Sequence, residues 1–387
     1  MFDCFESIKP GDLIVGYESS PSMKVSAIFE CTAALHEDEN EVQRIGFKIQ
    51  RFLNRPVAWE DLIQVKDFKD AEVVKNNQGS LYPLTQIQFD AILSLEYDSN
   101  IPKYTFENLK SDSFVSDEQL EKIISTLKHK KNVILQGPPG TGKTFVAKKL
   151  AYALMGERDD ARIEMVQFHQ SVSYEDFIQG YRPTEEGSFK LKNGLFYKLC
   201  ARALKNPDKP YFLIIDEINR GNLSKIFGEL LMLIENDKRS PEYAINLMYS
   251  DSEESRFYVP PNIHIIGTMN TADRSLAVVD YALRRRFAFF NLKPEFNEKF
   301  KGFLKGVNVE IALIDKISNR MNRLNAAIND DLGSGFEIGH SFFTPNSATI
   351  PNTDWFNDVV DFEIKPLLDE YYFDDSSQVE TKIDLLK

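Results

Sequence analysis

The segment GPPGTGKT, residues 137–144, has the residue types and the spacing of a loop that wraps phosphate groups. Glycines let backbone N–H groups turn toward phosphate oxygens, and Lys143 offers a positive charge to the β- and γ-phosphates of a nucleotide. The Thr144 hydroxyl is suited to Mg²⁺. A glycine-rich turn without a ligand is the alternative, which the flanking strand and helix patterns disfavour. We therefore predict nucleotide binding by Gly137, Pro138, Pro139, Gly140, Thr141, Gly142, Lys143 and Thr144.

Two acidic residues follow a second apolar run. The stretch FLIIDEINR places Asp216 and Glu217 at the end of a predicted buried strand, where the ligand crevice of an open α/β sheet lies. We predict that Asp216 and Thr144 hold Mg²⁺, and that Glu217 is the general base that polarises the attacking water. An ordinary acidic loop start is the alternative, and the phosphate loop upstream makes it less favourable.

A third strand, IHIIGTMN, ends in Asn270, whose amide is predicted to orient the water or to contact the γ-phosphate. The run Arg284, Arg285 and Arg286 follows. Arginines stabilise the charge that builds up on a transferred phosphoryl group, and an arginine from a neighbouring subunit couples hydrolysis to assembly. We predict catalytic roles for Arg284 and Arg285. Cations that favour the dipole at a helix C-terminus are the alternative reading of the run, and both readings can hold together.

These residues need a sheet to position them. Strand patterns at 132–136, 163–168, 211–216 and 263–269 alternate with helix patterns at 117–130 and 143–155, which is typical of an α/β fold with a parallel sheet. A hairpin is predicted at 180–199, a helical subdomain follows Pro294, and the acidic DDSSQVE near the end is predicted to be a solvated tail.

The first hundred residues have a different pattern. Short strand-like runs, among them DAEVVK, and a helix pattern at 84–96 predict a small barrel or sandwich, and 98–113 has the composition of a linker. The predicted domains are therefore a β-rich domain at 1–105, an α/β P-loop domain at 106–293 and a helical lid at 294–387.

Composition limits the classes of protein. The formal net charge of −13 means that any nucleic acid must meet a local basic patch. The three cysteines form no CxxC pair, which predicts neither a disulfide framework nor a structural zinc site. No signal-peptide pattern or run of eighteen apolar residues occurs, so we expect a cytoplasmic protein with no membrane partner.

The order of phosphate loop, DE-ended strand, Asn270 and late arginines resembles that of AAA+ NTPases. Longer stretches resemble the McrB family, the GTP-hydrolysing motors of modification-dependent restriction systems. The resemblance covers about residues 110–387. Its matching segments are 165–183, 214–239, 269–287 and 335–343.

The resemblance implies GTP and Mg²⁺, a hexameric ring and a separate McrC-type nuclease. It also implies that the MNTAD segment, 269–273, is the place where the nuclease stimulates hydrolysis, which adds Asp273 to the catalytic residues and makes Arg274 a further activation candidate. GTP rests on the resemblance alone, since the NKxD sequence of small GTPases is absent and ATP is the commoner AAA+ fuel. The GHS segment, 339–341, lies where many lids place a sensor arginine. His340 is predicted to be a hydrogen-bonded structural residue as readily as a nucleotide contact.

Two stretches of the N-terminal domain, 9–30 and 52–62, resemble EVE domains of the PUA-like fold, which hold modified bases in an aromatic pocket. A flipped base is stacked between aromatic or apolar walls and read at its edge by polar groups. The predicted pocket residues are Tyr17, Ser19, Ser22 and Trp59, and core or loop roles are the alternative for each.

The sequence thus predicts an AAA+ GTPase that recognises a modified base in DNA through its N-terminal domain and drives DNA translocation with an McrC-type nuclease. A MoxR-like, ATP-driven remodelling chaperone acting on protein partners is one alternative. A nucleotide-locked binding module whose ring only scaffolds a partner is another.

Overall fold

The computed structural model describes residues 3–19, 23–37, 42–75, 81–97, 101–184, 187–249, 256–273, 281–345, 351–373 and 375–387. The chain divides into two compact units, residues 1–101 and 102–387, and each is described by itself. Within the ranges given, no helix is both long enough and apolar enough to cross a membrane.

The first unit contains an antiparallel sheet in the order β1-β2-β3. Buried and more exposed residues alternate over the first part of β2, as expected for a sheet with one face on a core. The strands are β1 (Leu13–Glu18), β2 (Lys24–Glu37) and β3 (Gln43–Ala58). The sheet confirms the predicted small β domain, and its likeness to the PUA-like barrel stays a prediction.

Short helices accompany this sheet, and those that follow β3 pack on its buried face. They are α1 (Asp3–Ser7), α2 (Trp59–Leu62), α3 (Glu72–Lys75) and α4 (Gln86–Tyr97), with a 3-10 turn at Lys66–Phe68. Arg51 links β3 to α4, because its guanidinium donates two hydrogen bonds of 2.9 and 2.8 Å to the Glu96 carboxylate. The helix predicted at 84–96 is confirmed by α4. The core residues are Val25, Ile28, Leu53, Val57, Leu62, Phe68, Ala71 and Ile92.

The prediction of a strand at DAEVVK is wrong, because α3 occupies this run. The backbone N–H groups of Val74 and Lys75 both donate to the Ala71 carbonyl, at 3.0 and 3.3 Å. The run therefore satisfies its backbone groups locally while Ala71 is buried in the core.

The second unit is organised around a parallel sheet in the order β10-β4-β9-β8-β5. Its central strands are almost wholly apolar and buried, as expected when both faces of a parallel sheet are covered. An antiparallel pair, β6-β7, forms the predicted hairpin, and the predicted strands of the sheet are confirmed. The strands are β4 (Asn132–Gly137), β5 (Ile163–Gln167), β6 (Gln179–Pro183), β7 (Phe189–Asn193), β8 (Tyr211–Asp216), β9 (Ile263–Asn270) and β10 (Ala288–Asn291).

Helices and 3-10 turns connect these strands. The helices are α5 (Phe106–Asp112), α6 (Asp117–Lys130), α7 (Lys143–Met155), α8 (Tyr174–Phe177), α9 (Leu195–Lys205), α10 (Leu223–Phe227), α11 (Leu230–Leu233) and α12 (Tyr281–Arg286). The 3-10 turns are Asp160–Arg162, Ile218–Arg220, Asn236–Lys238 and Pro241–Tyr243. The helices predicted at 117–130 and 143–155 are confirmed by α6 and α7.

The prediction of a linker at 98–113 is wrong over α5. A capping box begins this helix: the Thr105 side chain accepts from the Asn108 N–H, and the Asn108 side chain accepts from the Thr105 N–H. Tyr104 and Leu109 are fully buried in the second unit. The polar composition of this segment does not indicate a helix, but the cap and two buried residues stabilise one.

A helical lid completes the second unit. Its helices are α13 (Glu298–Gly306), α14 (Ile311–Leu332), α15 (Thr353–Val359), α16 (Lys365–Tyr371) and α17 (Ser376–Asp384), with 3-10 turns at Ser334–Phe336 and His340–Phe343 and a π-helical turn at Val360–Ile364. They bury a core of their own that begins at Phe296. The predicted helical subdomain is confirmed, and the predicted domain boundaries stay predictions.

The prediction of a tail at DDSSQVE is wrong over its described residues, 375–380, because α17 begins there, although all of them except Val379 are exposed as predicted. The Asp375 side chain caps the helix by accepting from the N–H groups of Ser377 and Gln378, at 3.1 and 3.3 Å. Val379 and Ile383 are buried one helical turn apart. Asp375 therefore begins a helix that packs into the lid.

One buried side chain holds the lid segment that leads to the nucleotide site. Asn325 of α14 donates to the carbonyl of Ile338 at 2.9 Å and accepts from its N–H at 2.7 Å. An amide side chain that pairs with both backbone groups of one residue replaces a strand partner there. Asn325 thus fixes the backbone immediately before Gly339.

We predict that Asn325→Ala lowers the free energy of unfolding by about 1–3 kcal/mol, because a buried N–H and a buried carbonyl lose their partner. Chemical denaturation measures the change. Asn322→Ala on the exposed side of the same helix is the matched control and should stay within about 0.5 kcal/mol of the parent. Equal losses for the two variants would contradict the role of Asn325.

Candidate nucleotide site

The phosphate loop joins the end of β4 to the start of α7. Gly140 and Gly142 have left-handed backbone conformations, with φ of +76° and +71°. A Cβ at Gly137 would lie 2.2 Å from the carbonyl oxygen of Leu292, so this position requires glycine. Lys143 lies inside the loop and donates to the carbonyls of Gly137 and Pro138, at 3.0 and 2.8 Å. The loop therefore has the conformation in which glycines and one lysine can cradle phosphate groups.

The charge of Lys143 depends on its surroundings. Burial lowers its pKa to about 8, and the charges of Glu217, Asp216 and Asp273 oppose that shift. A phosphate anion in the loop would add further negative charge and favour the protonated amine. The same lysine thus faces all three predicted carboxylates, which the structure brings together.

The two predicted Mg²⁺ ligands are in direct contact. The Thr144 hydroxyl donates to Oδ1 of Asp216 at 2.8 Å, and the Thr268 hydroxyl of β9 donates to the same oxygen. A hydroxyl and a carboxylate placed together beside a phosphate loop fit Mg²⁺, which takes its remaining ligands from water and phosphates. The described ranges hold no cluster of three or more His, Cys, Asp or Glu residues that would bind a metal without such help. Thr268 was missed from the sequence, since its role depends on the register of β9 beside β8.

Glu217 is held by an arginine that was also missed. Its backbone is left-handed, with φ of 51° and ψ of 47°, which is uncommon outside glycine and is found at functional sites. Arg220 donates from Nε to Glu217 at 3.2 Å and from a terminal nitrogen to Asp273 at 2.8 Å. The sequence signal was the spacing of three residues in DEINR, which a 3-10 turn converts into a contact. Arg220 therefore connects the predicted general base to the MNTAD segment.

The MNTAD segment lies between the phosphate loop and the lid. Parallel pairing of β4 with β9 sets Gly137 opposite Asn270. The N–H of Thr271 donates to the Gly137 carbonyl at 3.1 Å, and its hydroxyl donates to the Gly335 carbonyl at 3.0 Å. Asn270 accepts from the N–H of Ala272 at 3.2 Å. Arg274 lies outside the described residues.

The lid contacts the phosphate loop through backbone groups. The N–H of Gly339 donates to the Pro139 carbonyl at 2.9 Å, and the N–H of Ser341 donates to the Gly140 carbonyl at 2.8 Å. Because the C=O and N–H of a trans peptide point in opposite directions, these bonds also direct the N–H groups that follow each carbonyl. The lid thus fixes the orientation of two peptide groups in the loop.

His340 is the structural residue of this contact. Its Nδ1 accepts from the Glu295 N–H at 3.0 Å, and burial lowers its pKa to about 4, so the ring is neutral at pH 7. The alternative of a hydrogen-bonded structural histidine is therefore confirmed. The GHS segment therefore supplies no charged sensor at position 340.

The arginine run is not brought together with the phosphate loop of the same chain. It precedes β10, which pairs in parallel with β4 so that Ala288 lies opposite Val133. The run is therefore at the amino-terminal end of β4, and the loop follows its carboxyl end. Six residues of strand separate the two ends by about 20 Å.

In the first unit, two of the predicted base-pocket residues are in contact. The rings of Tyr17 and Trp59 have centroids 5.3 Å apart at an angle of 56°, and Tyr17 is 42% exposed. Ser19 is exposed, and its carbonyl accepts from the Met23 N–H at 3.3 Å. Ser22 lies outside the described residues. The structure thus forms an aromatic pair that solvent can reach on the Tyr17 side.

Family models match two parts of the chain. Residues 132–287 match the AAA domain (dynein-related subfamily), and residues 316–380 match the McrB alpha-helical lid domain. The chain carries a McrB-type AAA domain with its helical lid. It is a P-loop NTPase domain by fold, since the loop, the sheet and the lid described above are the parts that these models cover.

Relatives agree with this assignment. This chain is 52% identical over 283 residues to the type IV methyl-directed restriction enzyme EcoKMcrB subunit of Escherichia coli K12, and the match covers 72% of this chain and 61% of that protein. It is 28% identical to the type II restriction enzyme BsuMI component YdiS of Bacillus subtilis 168, over 43% of this chain and 58% of that protein. The chain thus spans less than two thirds of either relative.

A solved structure, protein Atu2648 of Agrobacterium tumefaciens, matches 24% of this chain and 66% of its own with 18% identity and a TM-score of 0.23.

We predict that Gly339→Ala weakens nucleotide binding by about 5- to 150-fold, the equivalent of about 1–3 kcal/mol of overpacking. The added Cβ would lie 1.9 Å from the backbone carbon of Gly140, so the lid must lift from the loop. Titration with a fluorescent GTP analogue measures the affinity. Gly302→Ala in α13, where a Cβ meets nothing within 4 Å, is the control and should bind as the parent does. Parent-like affinity of Gly339→Ala would contradict the role of the lid's backbone contact with the phosphate loop in nucleotide binding.

Proposed function

We propose that this protein is the GTP-hydrolysing motor subunit of a modification-dependent restriction system, in which it forms a hexameric ring, reads a modified base in DNA and works with a separate McrC-type nuclease. The observation that supports a hydrolytic function is the convergence of four residues at the carboxyl edge of the parallel sheet, namely Lys143, Thr144, Asp216 and Glu217. The 52% identity to the E. coli restriction subunit supports the choice of system and of GTP.

The residues of the chain divide the reaction among them. Backbone N–H groups of the loop and the Lys143 ammonium bind the phosphates. Thr144 and Asp216 would hold Mg²⁺, which neutralises charge on the phosphate oxygens. Glu217 accepts a proton from the attacking water, and Asn270 orients that water.

The arginines complete the site from a neighbouring subunit. The position of the run at the far end of β4 from its own loop supports a role for Arg284 and Arg285 in another chain. A ring of identical subunits supplies such a neighbour to every site. Hydrolysis is then coupled to assembly.

The nuclease partner acts at the MNTAD segment in this proposal. Asp273 shares Arg220 with Glu217, so a cationic group of the partner that binds Asp273 would change the hydrogen bonding of Glu217. Stimulation of hydrolysis follows without any contact between the partner and the nucleotide.

We predict that Glu217→Gln lowers the rate of GTP hydrolysis by about 10²- to 10⁴-fold and leaves GTP binding intact, because only the general base is removed. Phosphate release with GTP and ATP in parallel, and with the nuclease partner present, measures the effect. Glu242→Gln, an exposed carboxylate, is the control.

Three outcomes decide among the functions. Preferred hydrolysis of ATP would favour the remodelling chaperone, against which the McrB-type lid argues. An unchanged rate in Glu217→Gln would favour the binding module. A ring that appears in light scattering only with a GTP analogue supports the motor.

The first unit is the proposed reader of the modified base. We predict that Tyr17→Ala weakens binding to DNA with the recognised modification by about 5- to 150-fold, since stacking of one base contributes about 1–3 kcal/mol. Fluorescence anisotropy with duplexes that carry single cytosine or adenine modifications, beside unmodified duplex, measures it. Phe52→Ala, another exposed aromatic of this unit, is the control. An identical loss in both variants would argue against a pocket at Tyr17.

A further inference from the structure

The three consecutive arginines have different surroundings. The side chain of Arg286 is 13% exposed and that of Arg285 is 74% exposed. Arg284 is exposed, and no hydrogen bond or ion pair joins it to any other described residue. One arginine is therefore held within its own subunit, and the other two are presented at the surface.

Glu235 is the carboxylate that holds the run. Its Oε1 contacts Arg286 at 3.0 Å and Arg285 at 3.4 Å, and its Oε2 contacts Lys238 at 2.9 Å. Burial would raise the pKa of Glu235, but the Lys238 hydrogen bond and the Arg286 charge outweigh it and lower that pKa. The carboxylate is therefore ionised at neutral pH.

A second set of contacts fixes the backbone at the end of α12. Asn132, fully buried at the start of β4, donates to the carbonyls of Arg286 and Ile234 at 3.1 and 2.8 Å. Arg239 donates to the Asn132 side-chain oxygen at 2.6 Å and to the Ile234 carbonyl at 2.8 Å. The Arg286 carbonyl is thus bound by Asn132, and the Arg286 guanidinium is bound by Glu235 of the segment 234–239.

Favourable interaction with a helix dipole does not account for this arrangement. Cations at a helix C-terminus interact favourably with the dipole without any carboxylate partner, so the dipole does not explain why Glu235 binds both Arg285 and Arg286. Glu235 instead joins two adjacent like charges, which would otherwise repel, and keeps the Arg286 side chain against the protein. Glu235 thereby determines the direction in which the arginine side chains extend from the protein.

We propose that Glu235 is a positioning residue that aims Arg284 and Arg285 at the nucleotide of the neighbouring subunit, with Arg286 as the anchor in its own subunit. The proposal rests on the function given above and assigns different roles to the three arginines. An arginine that a neighbouring subunit inserts correctly into the site raises the rate of phosphoryl transfer by about 10³- to 10⁵-fold. A misplacement of about 1 Å can lower the rate by about 10²-fold.

The test is Glu235→Gln, which keeps the side-chain shape and removes the charge. We expect the protein to lose about 10- to 100-fold in kcat for GTP, with KM, ring formation and melting temperature unchanged. Asp237→Asn, the same change of charge at an exposed position two residues away, is the control and should retain parent kinetics. A parent-like kcat for Glu235→Gln would overturn the proposal.

Mixed rings separate positioning in trans from a local defect. Glu217→Gln subunits keep correctly positioned arginines but cannot activate water. Glu235→Gln subunits can activate water, but their arginines are not correctly positioned. An equal mixture should regain activity at roughly a quarter of its sites, where a Glu235→Gln subunit receives arginines from a Glu217→Gln neighbour. Activity no higher than that of either variant alone would overturn the proposal. The parent protein is measured alongside, and its failure to hydrolyse GTP would instead count against the proposed function.

Discussion

Strand β4 is the constraint on which the second unit depends, because functional groups lie at both of its ends. Its carboxyl end continues into the phosphate loop, and Asn132 at its amino end binds the carbonyl of Arg286. Hydrogen bonding to β9 on one side and to β10 on the other prevents the strand from bending. The loop that receives a nucleotide and the arginines proposed to serve a neighbour are therefore held at a fixed separation. In a closed ring, that separation sets the angle between subunits at which the arginines reach a phosphate.

The lid acts on the other side of the same loop. Its two backbone hydrogen bonds to Pro139 and Gly140 require no particular side chain, so the GHS segment contacts the loop without a charged residue. Close approach of two backbones does require glycine, and Gly339 has no space for a Cβ. Asn325 holds the adjacent Ile338 from within the lid core. Movement of the lid would thus be transmitted to the loop through backbone atoms rather than through a charge.

The sequence was sufficient wherever a pattern was local. The strand, loop and helix from Asn132 to Met155 follow from apolar runs and glycine spacing, and the carboxylates after β8 follow from one short motif. Contacts distant in sequence were not predictable: Arg220 meets Asp273 across 53 positions, and Thr268 meets Asp216 across 52. Helices α5 and α17 were missed because their composition is polar, although Asn108 and Asp375 carry recognisable caps. In both helices, side-chain caps and a few buried residues outweighed the average composition.

Charge balance connects these parts of the site. Three carboxylates, Asp216, Glu217 and Asp273, face two cations, Lys143 and Arg220, so the site is already negative before any phosphate is bound. Further positive charge that arrives with a nucleotide would offset this imbalance, and the proposed sources are Mg²⁺ beside Thr144 and arginines from the neighbour. Arg220 forms ion pairs with both Glu217, the proposed general base, and Asp273 of the MNTAD segment. In the proposed mechanism, a partner that supplies a positive charge to Asp273 would weaken the Arg220–Asp273 ion pair and change the hydrogen bonding of Glu217, so that a partner would control hydrolysis by an exchange of cations around Asp273.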